Sequence, residues 1–104
     1  MVGTPAYMAP EQVEGNPSAH GPQTDVYALG VMLFQLLTGE SPFRGSTLEL
    51  LAQTLHAQPP TPSSVRPELD AELDQLCLWA LNKKAEHRPS SMKEFAASLT
   101  GRLR

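Results

Sequence analysis

The feature that most constrains the fold is a nearly unbroken apolar run, Val26–Leu37. As a helix this run is roughly 18 Å long, which is too short for a membrane span of about 20 apolar residues. Because apolar side chains lie on all its sides, we expect a buried helix that other elements surround on most sides. Thr24 or Asp25 is expected to cap its N-terminus, and Gly39 to end it in a left-handed conformation.

Three later segments each combine an N-cap signal with apolar residues spaced three or four positions apart, which predicts amphipathic helices. Their stripes are Leu48, Leu51, Ala52 and Leu55, then Leu73, Leu76, Cys77, Ala80 and Leu81, then Met92, Phe95, Ala96, Leu99 and Leu103. We expect capping boxes for Ser46 with Glu49 and for Ser91 with Glu94, and an Asp70 cap for the middle helix. The sequence therefore predicts an all-α fold of about four helices around a buried central one.

The composition fits one small domain. The chain has 104 residues and a net charge of -3, which argues against a general nucleic-acid binder because a basic face supplies most of that affinity. The single cysteine, Cys77, excludes an intrachain disulfide and is expected to be a small apolar filler. Residues 83–104 hold six basic and two acidic residues, which we interpret as a solvated basic helix. Residues 1–23 and 59–69 carry eight of the ten prolines and are predicted to be loops.

Four short motifs follow one another along the chain. Residues 3–12 read G-T-P-A-Y-M-A-P-E-Q, residues 25–30 read D-V-Y-A-L-G, residues 38–43 read T-G-E-S-P-F and residues 87–89 read H-R-P. Their order and spacing closely resemble the C-terminal part of the large lobe of serine/threonine protein kinases of the bacterial type. The resemblance implies one partial kinase domain, with the activation-segment end and following loop in residues 1–23 and a helical part in residues 24–104.

The resemblance implies a buried ion pair between Glu11 and Arg88, which are 77 residues apart. Arginine presents a planar fork that binds a carboxylate through two hydrogen bonds. The alternative is two exposed charges near prolines. The commoner family pattern has Asp-Pro where this chain has Lys84-Ala85, which weakens the turn expected there and allows the preceding helix to run on by a residue or two.

The same resemblance implies roles for two further groups of residues. Thr4 would contact the catalytic Asp and the nearby Lys of the kinase catalytic loop, and Asp25 would accept hydrogen bonds from the backbone of that loop. The alternatives are a plain turn residue for Thr4 and a helix-capping carboxylate for Asp25. The pocket for the substrate residue after the phosphoacceptor would be shaped by Pro5, Ala6 and Tyr7, for which the alternative is ordinary loop packing.

The sequence lacks the motifs that carry kinase chemistry. It has no Gly-rich phosphate loop, no strand Lys paired to a helix Glu, no H-R-D catalytic loop and no D-F-G metal site, and in the family all four precede the position of Thr4. We therefore assign no catalytic, cofactor-binding or metal-ligating residue and expect the isolated chain to be inactive. For the complete parent kinase, the resemblance implies ATP, Mg²⁺ and transfer of the γ-phosphoryl group to Ser or Thr of proteins.

The expected partners are protein substrates and the N-terminal part of the kinase domain, with no nucleic acid, no membrane segment and a cytoplasmic location. The alternative function is a stand-alone or decayed kinase lobe that binds proteins through the helix at residues 47–58 and the loop Thr4–Tyr7. The apolar stripe of that helix is equally well interpreted as core. The two functions predict different surfaces for the central helix. A kinase part without its covering elements should leave an apolar patch open there, whereas a stand-alone module should carry polar residues.

Overall fold

The computed structural model describes residues 5–103, with side chains up to residue 101. This part of the chain is all-α and contains no strand, which confirms the predicted fold class. Its α-helices are α1 (Pro10–Val13), α2 (Pro22–Thr38), α3 (Thr47–His56), α4 (Pro62–Val65), α5 (Ala71–Ala80) and α6 (Met92–Leu103). Short 3-10 turns lie at Pro5–Tyr7, Pro17–Ala19 and Ala85–His87. Within these residues, none of the helices combines the length and apolar character needed to cross a bilayer.

The central helix, α2, begins earlier than predicted. Its first residue is Pro22, and Gly21 is the N-cap, so the expectation that Thr24 or Asp25 caps the helix is wrong. Proline suits the first helical position because its fixed φ is already helical and the missing N–H would have no partner there. Thr24 instead lies within the first turn, where its hydroxyl accepts a 3.1 Å hydrogen bond from the Gly21 N–H. The C-terminal prediction is confirmed, since Gly39 has φ 77°.

Helices α5 and α6 pack on one side of α2 and form the main core with it. Its fully buried members include Val26, Phe34, Cys77 and Ala80, and Phe95 of α6 closes the cluster. Burial raises the pKa of the Cys77 thiol to about 12, which Asp74 reinforces. Both observations fit an inert apolar filler rather than a nucleophile.

Another face of α2 packs against the segment that precedes it. Ala9, Tyr27, Val31 and Leu81 form a second buried cluster there, and Tyr7 packs on it. A third face of α2 stays open, because Met32 is 51% exposed and Leu36 is 82% exposed. The helix is therefore surrounded on most sides, as expected, and this one face is open.

The capping predictions for the later helices hold in part. Ser46 and Glu49 form the predicted reciprocal box, and the Asp70 side chain caps α5. At α6 the Ser91 hydroxyl accepts from the Glu94 N–H as predicted, but the Glu94 carboxylate accepts from the backbone of Ser90 at 2.7 Å. The predicted capping box at α6 is therefore half formed, because the backbone N–H that binds the Glu94 carboxylate belongs to Ser90 and not to Ser91.

The apolar stripe predicted for α3 is covered only in part, since Leu51 and Leu55 are half-buried. Leu48 is 78% exposed and Ala52 is also exposed, whereas the buried side chain of this helix is Thr54. The Thr54 hydroxyl donates to the Leu50 carbonyl at 2.9 Å, and it also bonds the side chain of Tyr27. A polar residue can therefore occupy the buried position of α3, which apolar periodicity does not detect.

The two proline-rich segments are more regular than the predicted loops. Residues 1–23 contain α1, and residues 59–69 contain α4, with Pro10 and Pro62 at the first helical positions. Helix α5 ends at Ala80, and the 3-10 turn at Ala85–His87 follows after a short connection. The absence of Asp-Pro allowed this helix to extend by a residue or two, and that extension does not occur.

The contact between α2 and α5 requires a glycine, and this gives a test of the fold. A Cβ at Gly30 would lie 2.7 Å from the Cβ of Ala80 and 3.2 Å from Leu81. Alanine is about 1 kcal/mol better than glycine in a helix interior, but this overlap should outweigh that gain. We expect Gly30→Ala to lower the free energy of unfolding by about 1–3 kcal/mol in urea titrations.

The control is Gly101→Ala in α6, where an added Cβ meets nothing within 4 Å. This variant should be stabilised by roughly 0.5–1 kcal/mol. A Gly30→Ala variant as stable as the Gly101→Ala variant would contradict the close approach of α2 and α5.

Candidate functional site

The structure brings Glu11 and Arg88 into a two-pronged ion pair. Nη1 of Arg88 donates to Oε2 of Glu11 at 2.8 Å, and Nη2 donates to Oε1 at 2.9 Å. The Arg88 side chain is 0% exposed and that of Glu11 is 8% exposed. The pair therefore joins α1 to the segment before α6 inside the protein, as the family resemblance implied.

The remaining N–H groups of Arg88 bind backbone carbonyls. Nε donates to Asn82 at 2.7 Å, Nη1 to Gln23 at 2.9 Å and Nη2 to Lys83 at 3.2 Å. A guanidinium has five N–H donors, and all five are used here. The ring of Tyr27 lies 5.1 Å from the guanidinium carbon and provides a cation-π contact. A buried cation is tolerable because its polar groups are satisfied in this way.

Thr24 extends the ion pair to the start of α2. Its hydroxyl donates to Oε2 of Glu11 at 2.7 Å while accepting from the Gly21 N–H. Burial alone would raise the pKa of Glu11, but the hydrogen bonds from Arg88 and Thr24 outweigh it, so the pKa is lowered. Glu11 therefore stays ionised, and its charge is matched by Arg88.

The predicted substrate-pocket residues lie against the other end of α2. Pro5, Ala6 and Tyr7 are half-buried, and the Tyr7 hydroxyl donates to Oε1 of Gln35 at 2.6 Å. The Gln35 amide in turn donates to the Ser41 hydroxyl at 2.8 Å. Sequence reasoning did not find Gln35 or Ser41. The single polar residue that interrupts the apolar run of α2 was the signal that could have found Gln35.

Of the two residues expected to support a catalytic loop, Asp25 is among the described residues. Thr4 lies outside the described residues. Asp25 lies on the exposed first turn of α2, where its carboxylate is 4.0 Å from Nε2 of His20 and 60% of its side chain is exposed. A negative charge here is stabilised by the positive end of the helix dipole. Because the Asp25 side chain is exposed, its oxygens can accept hydrogen bonds from a partner outside the described residues.

The described residues provide no set of side chains suited to a metal ion. Residues 5–103 contain no group of three His, Cys, Asp or Glu side chains that could hold a metal. The motifs that bind ATP and Mg²⁺ in kinases are also absent from the sequence. No chemical step is therefore assigned to residues of this chain.

A groove lies along the open face of α2 and is almost entirely apolar. It is formed by Leu29, Met32 and Leu36 of α2 and by Phe95 and Leu99 of α6, with a volume of about 370 Å³. We call it the open apolar groove. Contiguous exposed apolar surface of this kind marks a place where another chain segment or protein packs.

The all-α architecture, the buried Glu11–Arg88 pair and the packing of residues 5–13 against α2 together define a helical part of a protein kinase large lobe. The family model of the protein kinase domain matches residues 1–99, so the chain belongs to the protein kinase family.

Its relatives are serine/threonine kinases of bacteria. The chain is 48% identical to the serine/threonine-protein kinase Pkn1 of Myxococcus xanthus over 95% of this chain and 14% of that protein. It is 44% identical to PkaA of Streptomyces coelicolor over 86% of this chain and 16% of that kinase. It is 39% identical to PknB of Mycobacterium tuberculosis over 95% of this chain and 16% of that kinase. The chain thus spans about a seventh of the length of the curated relatives it matches.

Removing one partner of the buried pair should be far more damaging than removing one partner of an exposed pair. We expect Glu11→Ala or Arg88→Ala to lower the free energy of unfolding by about 3–5 kcal/mol, because each leaves an uncompensated buried charge. The matched control is Glu40→Ala, which breaks an exposed 2.8 Å pair with Arg44 and should cost only about 0.2–1 kcal/mol. Equal losses in urea titrations of the three variants would show that the Glu11–Arg88 pair is not buried.

The ion pair should also give stability a defined dependence on pH. Because the pKa of Glu11 is lower in the folded chain than its ordinary value of 4.5, the unfolded chain takes up this proton first as the pH falls. The free energy of unfolding should therefore hold at higher pH and decline as the pH drops through that ordinary value toward the folded pKa. In urea titrations at several pH values, Glu11→Gln should show a shallower decline.

Glu49 contributes with the same sign, since hydrogen bonds from the backbone and side chain of Ser46 lower its pKa. The comparison is therefore repeated in a Glu49→Gln background. In that background, if the free energy of unfolding declines equally with falling pH in the chains with and without Glu11, the pKa of Glu11 is not lowered.

Proposed function

We propose that this chain is the C-terminal helical part of the large lobe of a serine/threonine protein kinase. The complete kinase transfers the γ-phosphoryl group of ATP to Ser or Thr hydroxyls of proteins, and Mg²⁺ and ATP bind in other parts of that kinase. The 104 residues alone transfer no phosphate. Their task is to hold the substrate segment and to support the catalytic loop, in a protein that acts in the cytoplasm.

The observation that carries this proposal is the attachment of the segment at residues 5–13 to α2. At one end Tyr7 bonds Gln35 in the C-terminal half of α2, and at the other end Glu11 bonds Arg88 and Thr24. The loop between these anchors is therefore fixed at both ends on a rigid helix. A pocket for a substrate residue needs such fixed walls, because misplacement by about 1 Å costs phosphoryl transfer heavily.

Asp25 supports the catalytic loop in this proposal. Its carboxylate lies on an exposed helix turn, where it can accept hydrogen bonds from backbone N–H groups of a loop supplied by the preceding part of the kinase. Thr4 contacts the catalytic residues of the same loop. Both roles rest on the family resemblance, and the exposure of the Asp25 side chain is compatible with the role given to that residue.

The open apolar groove favours a part of a larger domain over a free-standing module. Met32 and Leu36 are large apolar residues on the exposed face of the most buried helix. A module selected to exist alone should have polar residues at these positions, because exposed apolar surface promotes association. We propose that the preceding part of the kinase domain covers the groove.

The second candidate is a helical interaction module derived from a kinase lobe, and one observation favours it. Leu48 on α3 is 78% exposed although the predicted stripe of that helix is apolar. An exposed leucine on an amphipathic helix can anchor a protein partner. If this candidate is correct, the chain acts by binding a protein and takes no part in phosphoryl transfer.

A chimaera tests the kinase proposal. This chain replaces the matching 100 residues of Mycobacterium tuberculosis PknB, and transfer of labelled phosphate to Ser/Thr peptides is measured beside the isolated chain. We expect the chimaera to transfer phosphate and the isolated chain to transfer none. Asp25→Ala in the chimaera should lower kcat by roughly tenfold or more, since it loosens the loop that positions the reacting groups.

The control variant is Leu36→Lys, which places a charge in the open apolar groove. In the isolated chain it should reduce aggregation with little change in stability. In the chimaera it should disrupt the domain, because the lysine becomes buried against apolar surface. A chimaera that folds but is inactive, and that accepts Leu36→Lys without loss of stability, would support the interaction module instead.

A further inference from the structure

A second pocket lies at the C-terminal end of α5 and shares no lining residue with the open apolar groove. Its apolar side is formed by Pro59, Leu78 and Leu81, and its basic side is formed by Lys83, Lys84 and His87. Its volume is about 350 Å³, which is room for an apolar side chain with polar groups beside it. We call it the basic pocket.

The loop that carries the basic side is held in place by Arg88. The guanidinium binds the carbonyls of both Asn82 and Lys83, and the Asn82 side chain accepts from the Lys84 N–H at 3.2 Å. The backbone of the loop is therefore fixed before any ligand arrives. A preorganised loop loses little conformational entropy on binding, which favours its use as a recognition surface.

The lining of the basic pocket contains no carboxylate. In the part of the chain whose side chains are described, none of Lys83, Lys84 and His87 forms an ion pair. The nearby Glu86 is exposed and does not line the pocket. Burial and the charge of Arg88 lower the pKa of Lys83 to about 8, as expected for a cation without a compensating anion.

The Lys83 ammonium is itself held in a defined position. It donates to the Gln53 carbonyl at 3.2 Å and lies 4.8 Å from the centre of the Phe43 ring. The neighbouring Lys84 is exposed, so its charge is accessible to a partner.

We propose that the basic pocket binds an acidic segment of a partner protein, in which an apolar side chain is flanked by Asp or Glu. The apolar side chain packs on Leu78 and Leu81, and the carboxylates face Lys84 and His87. Complementary charge of this kind fixes the register of a peptide and speeds its association. This binding does not depend on the proposed phosphoryl transfer.

The acidic segment of the chain itself, residues 68–74, is a poorer occupant than a foreign protein. The Asp70 carboxylate accepts from the Glu72 N–H at 2.6 Å to cap α5, and Asp74 binds both the backbone and the hydroxyl of Ser63. Glu68 lies 3.8 Å from Arg66. These carboxylates would have to leave existing partners to enter the basic pocket of a second copy.

Titration of the isotope-labelled chain with the peptide Glu-Glu-Leu-Glu-Glu, followed by amide chemical shifts, tests this proposal. We expect shift changes confined to residues 58–59 and 78–87. A twin peptide with Gln at every Glu position should bind at least about fivefold more weakly, because charge complementarity provides the attraction. Lys84→Glu should weaken binding of the acidic peptide by a similar factor.

The matched control is Lys93→Glu, because Lys93 is an exposed lysine of the same basic region that does not line the pocket. It should change affinity by less than about twofold, as a distant screened charge does. Lys84→Ala serves in place of Lys84→Glu if the spectrum of the reversed-charge variant shows a changed fold.

Three results would overturn the proposal. The first is equal weakening by Lys93→Glu and Lys84→Glu, which would mean diffuse attraction to the basic region. The second is binding to phosphatidylglycerol vesicles without binding to the peptide, which would indicate a lipid surface. The third is an absence of peptide-induced shifts in the basic pocket.

Discussion

The guanidinium of Arg88 is the contact on which most of this structure depends. It binds Glu11, the carbonyl that precedes Thr24 and the carbonyls of residues 82 and 83. Three segments that are distant in sequence therefore meet at one cation. A buried charge destabilises a protein unless every donor finds an acceptor, and here the five donors do. The same requirement fixes the relative positions of α1, the start of α2 and the loop before α6.

Helix α2 has faces with different tasks. One face is packed against α5 so closely that Gly30 admits no side chain, and another carries Tyr27 against the ion pair. The third face forms the open apolar groove. A small domain of this length buries only about two-thirds of its unfolded surface. Leaving apolar residues of its central helix exposed is therefore costly, which is the reason for proposing that the rest of a kinase domain covers them.

The functional proposals share one mechanical basis. Arg88 anchors the segment that carries Tyr7 through Glu11, and it also anchors the loop that carries Lys83 and Lys84. The proposed substrate segment and the basic pocket are thus both attached to the same buried guanidinium. Neither surface needs to fold when a partner binds, because its backbone is already held by hydrogen bonds.

The sequence by itself determined the all-α fold, the left-handed end of α2 at Gly39 and the capping box of α3, because these follow from local periodicity and local hydrogen bonds. It also suggested Glu11 with Arg88, but only through the order of family motifs. Only the tertiary structure decided that Thr54 rather than Leu48 is the buried residue of α3. It likewise decided that Gln35 binds Tyr7 and that Lys83 and Lys84 border a pocket. Such pairings join residues far apart in the chain, and helical periodicity carries no information about which distant surface a helix face meets.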